Sequence, residues 1–137
     1  MDEIAAFFDE YADAFSRGDV DAICALWAWP AFFVARGRRA ALDATAFRAN
    51  TAAILAAYRG FGVARAEKRV VEIRPLFEGL RLVRTADRMI DAGGAALAAW
   101  EHLYLLSRTR EGLRAVAAFP DGELDAWQGR GTPLGSW

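Results

Sequence analysis

The chain has 137 residues, of which 55% are hydrophobic, and a formal net charge of −1. This length predicts one domain with a core of its own, and the charge excludes binding driven by a basic surface, as to nucleic acid or an acidic membrane. The single cysteine excludes an internal disulfide and a multi-cysteine metal site. No apolar run approaches the roughly 20 residues of a membrane span, and the start Met1-Asp2-Glu3 does not resemble a signal peptide. We therefore expect a soluble, cytoplasmic protein.

The first part of the chain has the pattern of helices. Apolar residues recur at spacings of three and four within residues 2–17, at Ile4, Phe8, Tyr11 and Phe15. This spacing predicts an amphipathic helix, and Tyr11 in its apolar stripe needs a polar partner or a cavity for its hydroxyl. Asp19 suits the N-cap of a second, short helix, which Trp29-Pro30 ends. A strand is predicted over residues 31–36.

Asp43 suits the N-cap of a third helix, which keeps its spacing to Gly60. The second half of the chain has the period of strands. Four segments bounded by turn residues predict strands over residues 63–76, 80–91, 97–108 and 113–119. Residues 121–137 show no clear period and are treated as a C-terminal tail after a domain of residues 1–120. This order predicts an α+β fold with three N-terminal helices packed on a strongly bent, mixed or antiparallel sheet.

The strand over residues 97–108 holds the one histidine of the chain, His102. Successive residues of a strand point to opposite faces, so Trp100, His102 and Tyr104 share one face and Glu101 lies on the other. Both faces are largely apolar. Neither face is therefore expected to lie fully in water.

The segment from Tyr11 to Trp27 combines an aromatic helix, the sequence Gly-Asp-Val-Asp and a short helix ending in an aromatic residue. A strand–turn–strand that ends in Gly112-Leu-Arg-Ala-Val follows later in the chain. Over about residues 2–119 this order resembles the nuclear-transport-factor-2-like (NTF2-like) superfamily, which includes ketosteroid isomerase, scytalone dehydratase, limonene epoxide hydrolase and SnoaL-type polyketide cyclases. The resemblance implies a cone-shaped fold, and it predicts function less sharply because the fold serves many activities.

Within the superfamily, the first third of the chain and the strand over residues 97–108 look most like ketosteroid isomerase. There, a tyrosine on the first helix and a carboxylic acid on the corresponding strand hold an oxyanion, while a second carboxylate moves a proton. Tyr11 falls at the tyrosine's position and Glu101 at the acid's position. Ala35 stands at or near the place of the second carboxylate. The resemblance therefore implies the pocket and not the reaction.

Two interpretations of Glu101 remain open. Inside an apolar cone its pKa would rise, and Glu101 and Tyr11 could both donate to a carbonyl or enolate oxygen. A hairpin turning at residues 92–93 would instead place Arg84 opposite Glu101 as an ordinary cross-strand ion pair. If Glu101 faces the cone, the Trp100 face is exposed and predicts a homodimer through Trp100, His102 and Tyr104.

The opposite orientation is the alternative, because a single bulge reverses the faces of a strand. His102 would then be the general acid/base and Asp87 its orienting carboxylate. Other types of site have little support. One histidine and one cysteine do not suffice for a zinc site without several carboxylates, and no glycine-rich phosphate loop follows a strand. No metal or cofactor is expected.

The sequence thus predicts a pocket protein for a small apolar, carbonyl-bearing molecule, with proton-transfer chemistry of the isomerase, lyase or cyclase kind as an option. The catalytic candidates are Tyr11, Glu101 and His102, and the ligand-binding candidates are Trp27, Tyr58, Arg84 and Trp100. The competing hypothesis is a non-catalytic, dimeric binding or accessory domain.

Overall fold

A computed structural model describes residues 2–134 of the chain. The helices are α1 (Asp2–Arg17), α2 (Val20–Cys24), α3 (Ala44–Phe61) and α4 (Asp121–Arg130). The strands are β1 (Trp27–Ala35), β2 (Arg38–Leu42), β3 (Val63–Pro75), β4 (Leu80–Asp91), β5 (Ala96–Thr109) and β6 (Gly112–Phe119). They form one sheet in the order β2-β1-β6-β5-β4-β3, in which β1 and β6 are parallel and the other pairs antiparallel. The predicted α+β fold with a mixed sheet is confirmed.

The helix boundaries follow from local capping chemistry. The Asp19 side chain accepts a hydrogen bond from the Ala22 amide at 3.0 Å, and Asp43 accepts one from the Ala46 amide at 2.8 Å. Both residues satisfy amides that an α-helix leaves without an intrahelical partner. Helix α3 runs slightly past the predicted Gly60 to a left-handed C-cap at Gly62, with φ of 92°.

The first strand is longer than predicted, and the edge strand next to it was missed. Strand β1 already begins at Trp27, and its pairing with β6 shifts register between Trp27 and Phe32. Pro30 lies within this irregular stretch. Proline has no amide proton, but no regular hydrogen bond of the sheet is lost here because the pairing is already interrupted. Beyond the turn at Gly37, strand β2 pairs antiparallel with β1, from Arg38 opposite Ala35 to Leu42 opposite Ala31.

The C-terminal segment contains a helix that its sequence pattern did not predict. Helix α4 packs on β5, and Trp127 is completely buried. The Trp127 ring contacts the rings of Tyr58, Phe61 and Trp100. Trp127 thus anchors a short helix that has no apolar stripe of its own. Residues 135–137 of the predicted tail lie outside the described residues.

The core has two parts on the inner side of the sheet. The larger part joins α1, α2 and α3 to the sheet around Phe8, Ile23 and Leu106. The smaller part gathers Tyr58 and Trp100 around Trp127. Among residues 2–134, no helix is long and apolar enough to cross a membrane.

Candidate ligand pocket

A pocket lies between the helices and the inner side of the sheet. Its wall includes Tyr11, Phe15, Trp27, Phe33, Phe47, Tyr58, Lys68, Trp100, His102, Tyr104 and Glu123. The space between the walls, including the open mouth, is about 720 Å³, but the centre of a water molecule has only about 60 Å³ in which to move. The pocket is therefore narrow and mostly aromatic, with a few polar groups in its wall.

Strand β5 presents its aromatic face to this pocket. Trp100, His102 and Tyr104 are buried, whereas the Glu101 side chain is 62% exposed. The prediction that Glu101 faces the cone is therefore wrong, and the alternative order of faces is the one found. The rings bury more apolar area on the inner side than a charged residue could, and this area drives the choice of face.

The register between β4 and β5 also differs from the predicted one. Arg84 lies opposite Leu103 and Glu101 lies opposite Ala86, because Ile90 pairs with Ala96 and not with Ala95, and the ladder shifts by one further residue between Ile90 and Met89. Arg84 still reaches Glu101 diagonally, with 3.7 Å between Nη1 and Oε1. Arg84 and Glu101 form a solvent-exposed ion pair on the outer side of the sheet, so neither is a pocket residue.

The aromatic face predicted to form the dimer contact lies inside the monomer. Trp100, His102 and Tyr104 all line the pocket, so they are not available to a second subunit. The residues named for the homodimer contact were therefore wrong. The homodimer itself stays a prediction.

His102 is a buried imidazole with a defined tautomer. The Trp100 indole Nε1–H donates to His102 Nδ1 at 3.0 Å, and an indole nitrogen can only donate. The proton of the neutral imidazole is therefore on Nε2. Burial, and to a smaller extent the nearby Lys68 ammonium, lower the pKa of His102 to about 3, although Asp87 acts in the opposite direction. His102 is thus neutral at physiological pH.

Asp87 does not orient His102 as the sequence predicted. Asp87 Oδ2 lies 3.9 Å from His102 Nδ1, beyond hydrogen-bond distance. Asp87 instead forms an ion pair with Lys68 at 2.6 Å and accepts a hydrogen bond from the Thr85 hydroxyl at 2.6 Å. Lys68 also donates to the Tyr104 hydroxyl at 2.6 Å. The sequence analysis assigned no role to Lys68, which looked like one charge of a solvated strand.

Tyr11 and Trp27 lie together in the pocket wall. The Trp27 indole Nε1–H donates to the Tyr11 hydroxyl at 3.0 Å, which is the polar partner that the buried Tyr11 needs. The Lys68 ammonium lies 5.0 Å from the centre of the Tyr11 ring. Burial raises the pKa of Tyr11 well above its usual value, so Tyr11 stays a neutral hydroxyl.

Glu123 is a pocket residue that the sequence analysis missed. It lies in the first turn of α4 and is buried. The Tyr58 hydroxyl and the Trp127 indole Nε1–H both donate to its Oε2, the latter at 3.2 Å. Burial raises the pKa of Glu123. The one available signal was its position four residues before Trp127, which places both side chains on one helix face.

The structure thus separates the seven candidate residues by location. Five of them line the pocket: Tyr11, Trp27, Tyr58, Trp100 and His102. The other two, Arg84 and Glu101, lie on the outer side of the sheet. Within residues 2–134, no group of histidine, cysteine and acidic side chains could hold a metal ion.

The sequence matches the family described as NTF2-like protein (DUF6841) over residues 2–123. The chain belongs to this NTF2-like family. The resemblance found in the sequence is therefore confirmed, and the matched region extends into the first turn of α4, as far as Glu123. A comparison with curated proteins finds no match.

Solved structures of this fold are similar to the chain at low sequence identity. A domain of unknown function with a cystatin-like fold from Nostoc punctiforme is 22% identical over 86% of this chain and 74% of its own, with a TM-score of 0.68. An NTF2-like protein of unknown function from Shewanella oneidensis is 14% identical over 86% and 95%, with a TM-score of 0.68. A ketosteroid isomerase-like protein from Erwinia carotovora atroseptica is 20% identical over 87% and 95%, with a TM-score of 0.63. These likenesses show the fold alone.

Proposed function

We propose that this NTF2-like protein binds a small, flat, mainly apolar molecule that carries a carbonyl or similar acceptor oxygen. The observation that supports it best is the neutral His102, held with its proton on Nε2 in the wall of an aromatic pocket. Such pockets bind small molecules by apolar contact, and a few placed polar groups fix their orientation.

The surroundings of His102 suit one acceptor oxygen. Its ring stacks on the Tyr104 ring with 4.5 Å between centres, and Trp100 holds its other nitrogen. The Tyr104 hydroxyl accepts from Lys68, which leaves the hydroxyl proton for a ligand. The two neighbouring donors on β5 would therefore share the oxygen of the bound molecule.

The narrow space restricts the ligand to small or planar molecules. Phe15, Trp27 and Trp100 supply flat surfaces in the wall, against which an aromatic or unsaturated ring packs favourably. Acetophenone, a planar ring with one carbonyl oxygen, is a suitable probe.

Binding of acetophenone tests this function directly. Trp27 and Trp100 line the pocket, so we expect saturable quenching of tryptophan fluorescence in the wild type. Replacing Ile54, a lining residue of α3, by tryptophan should fill the pocket and abolish the saturation. Ala53→Trp places the same ring at an exposed position of α3 and should leave binding intact. Equal binding to both variants would contradict the proposed site.

Proton transfer on such a ligand is a second candidate function, favoured by the presence of Glu123 in the same pocket. The Glu123 carboxylate would take a proton from the carbon next to the carbonyl, forming an O–H bond as the C–H bond breaks. The electron pair would move to the carbonyl oxygen, where the His102 N–H stabilises the enolate. The proton then returns to carbon, so no other reactant is needed.

Hydrogen exchange of acetophenone tests this second candidate. In D₂O, the protein should accelerate loss of the methyl proton signal in NMR spectra, and Glu123→Gln should remove the acceleration. If the wild type binds acetophenone without accelerating exchange, the pocket binds its ligand without this chemistry.

A further inference from the structure

The pocket region holds two buried carboxyl groups with different surroundings. Asp87 has a counter-ion, because the Lys68 ammonium lies 2.6 Å from its Oδ2. Glu123 has none: within residues 2–134 no cation lies within ion-pair distance of it, and its partners are Tyr58 and Trp127. A buried carboxylate without a positive partner costs free energy. Glu123 is therefore the buried carboxyl group of the pocket region that has no ion-pair partner among residues 2–134.

The two hydrogen-bond partners of this carboxyl belong to a cluster of aromatic rings. The Tyr58 and Trp127 rings are 5.8 Å apart between centres, Trp100 and Trp127 are 6.0 Å apart, and Phe15 and Tyr58 are 5.8 Å apart. The faces of aromatic rings attract organic cations, most strongly where water is excluded. A carboxyl group among such rings is suited to an organic ammonium group.

The hydrogen bonds of Glu123 leave one of its oxygens available. Tyr58 and Trp127 both donate to Oε2. Within the described chain no buried side-chain oxygen or nitrogen lacks a partner, and no donor of residues 2–134 bonds Oε1. Oε1 is therefore the oxygen that remains accessible from the pocket.

We propose that the ligand of this pocket is a small ring-containing amine, whose ammonium group donates to Glu123 Oε1 while its ring packs against the aromatic wall. This inference rests on the proposed binding function and adds the charge of the ligand. The acceptor oxygen proposed above would lie at the β5 side of the pocket, near His102. The ammonium would lie at the α4 side.

The charged and titratable groups near Glu123 determine how binding depends on pH. Tyr58 comes from α3, Lys68 from β3 and Asp87 from β4, and Tyr11 and Tyr104 also interact with it electrostatically. The three tyrosines stay neutral because burial raises their pKa, and Lys68 is paired with Asp87. Burial raises the pKa of Glu123, so its carboxylate takes up a proton at a higher pH than an exposed glutamate does. Protonation removes the charge that attracts the ammonium, so amine affinity should fall as the pH decreases.

Calorimetric titration with 2-phenylethylamine and 2-phenylethanol tests the inference, because the two probes have nearly the same shape and differ in charge. At pH 7.5 we expect the wild type to bind the amine at least about tenfold more tightly. Glu123→Gln should abolish this preference. Asp125→Asn removes an exposed carboxylate from the same helix and should retain it.

The outcomes distinguish a failure of the amine inference from a failure of the proposed binding function. If the alcohol binds and the amine binds no tighter, or if Glu123→Gln retains the preference, the inference fails while the binding function stands. If neither probe nor acetophenone binds the wild type, the binding function fails as well. Should Glu123→Gln not fold by circular dichroism, the wild type decides alone: the amine-to-alcohol preference must shrink as the pH decreases from 7.5 to the lowest pH at which the protein stays folded, and a constant preference overturns the inference.

Discussion

His102 shows how burial changes the role of a residue. A histidine beside a glutamate in the sequence suggests acid–base chemistry, yet burial and the Lys68 charge keep it neutral, with a pKa of about 3. The indole of Trp100 occupies the nitrogen that would otherwise accept a proton. His102 is therefore held as a neutral imidazole with its proton on Nε2.

The lowered pKa of His102 predicts a pH dependence of stability. The unfolded state binds a proton below about pH 6.5 and the folded state only near pH 3, so the free energy of unfolding falls as the pH decreases through this window. Between pH 7 and pH 4.5 the contribution is about 2–3 kcal/mol. Urea denaturation should therefore show that the free energy of unfolding of His102→Gln falls less than that of the wild type over this pH range, by about 2–3 kcal/mol. Glu101→Gln, at the exposed neighbouring position, should behave like the wild type, and parallel pH profiles for H102Q and wild type would contradict the neutral histidine.

Removing one partner of the buried ion pair between Lys68 and Asp87 should destabilise the protein far more than removing one partner of an exposed ion pair. Lys68→Met leaves a completely buried carboxylate without its partner and should lower the free energy of unfolding by about 3–5 kcal/mol. Arg84→Met breaks only exposed pairs and should cost less than about 1 kcal/mol. Chemical denaturation measures both.

A second substitution separates charge from packing at this ion pair. Adding Asp87→Asn to Lys68→Met removes the orphaned charge but keeps an acceptor for the Thr85 hydroxyl. The double variant should recover most of the lost stability. A double variant as unstable as Lys68→Met would show that packing, and not the unpaired charge, caused the loss.

At the scale of elements, α4 completes the pocket. Its first turn is held to the turn between β1 and β2 through Asp121, which accepts a hydrogen bond from the Arg36 amide at 3.0 Å. Its buried face supplies Glu123 and Trp127. The pocket thus depends on an element that follows the last strand in the chain.

The close approach of α4 to β5 depends on Gly122. A Cβ atom at this position would lie 2.4 Å from the carbonyl oxygen of Glu101, so Gly122→Ala must push α4 away from the strand. We expect a loss of about 1–3 kcal/mol and weaker acetophenone binding. Gly129→Ala in the same helix meets no atom within 4 Å and should be neutral or stabilising by up to about 1 kcal/mol. Thermal unfolding compares the two, and equal effects would contradict close packing of α4.

At the scale of the whole molecule, the sheet has an apolar row on its outer side. Leu82 lies opposite Leu105, Leu105 opposite Ala117, and Ala117 opposite Phe32. We call these four residues the outer row. Phe32 is 46% exposed. The predicted homodimer is therefore reassigned to this surface.

Sedimentation velocity tests the homodimer. We expect the wild type to run as a dimer and Phe32→Lys to run as a monomer, because a charge in the outer row would be desolvated on association. Phe77→Lys replaces a phenylalanine that is 78% exposed in the turn before β4 and should stay dimeric. A monomeric wild type would contradict the prediction.

The sequence by itself determined the elements whose signals are local. Apolar spacing, the caps Asp19 and Asp43, and the turns between strands predicted α1, α3 and the four long strands with small errors at their ends. The predicted stop of the second helix at Trp29-Pro30 was wrong, because α2 ends at Cys24 and β1 begins at Trp27. These features depend on neighbours within a few residues, and their order, together with the residues from Tyr11 to Trp27 and the segment Gly112-Leu-Arg-Ala-Val, carried the resemblance to the family.

Only the tertiary structure decided which side chains meet. Both faces of β5 are largely apolar, so its local pattern could not choose between Glu101 and the Trp100 face, and the choice depended on the total ring area buried against the helices. Lys68 and its partner Asp87 are 19 positions apart in the sequence, and Tyr58 and its partner Glu123 are 65 positions apart. Such contacts leave no periodic trace in the sequence, because they depend on how strands register and how the last helix folds back.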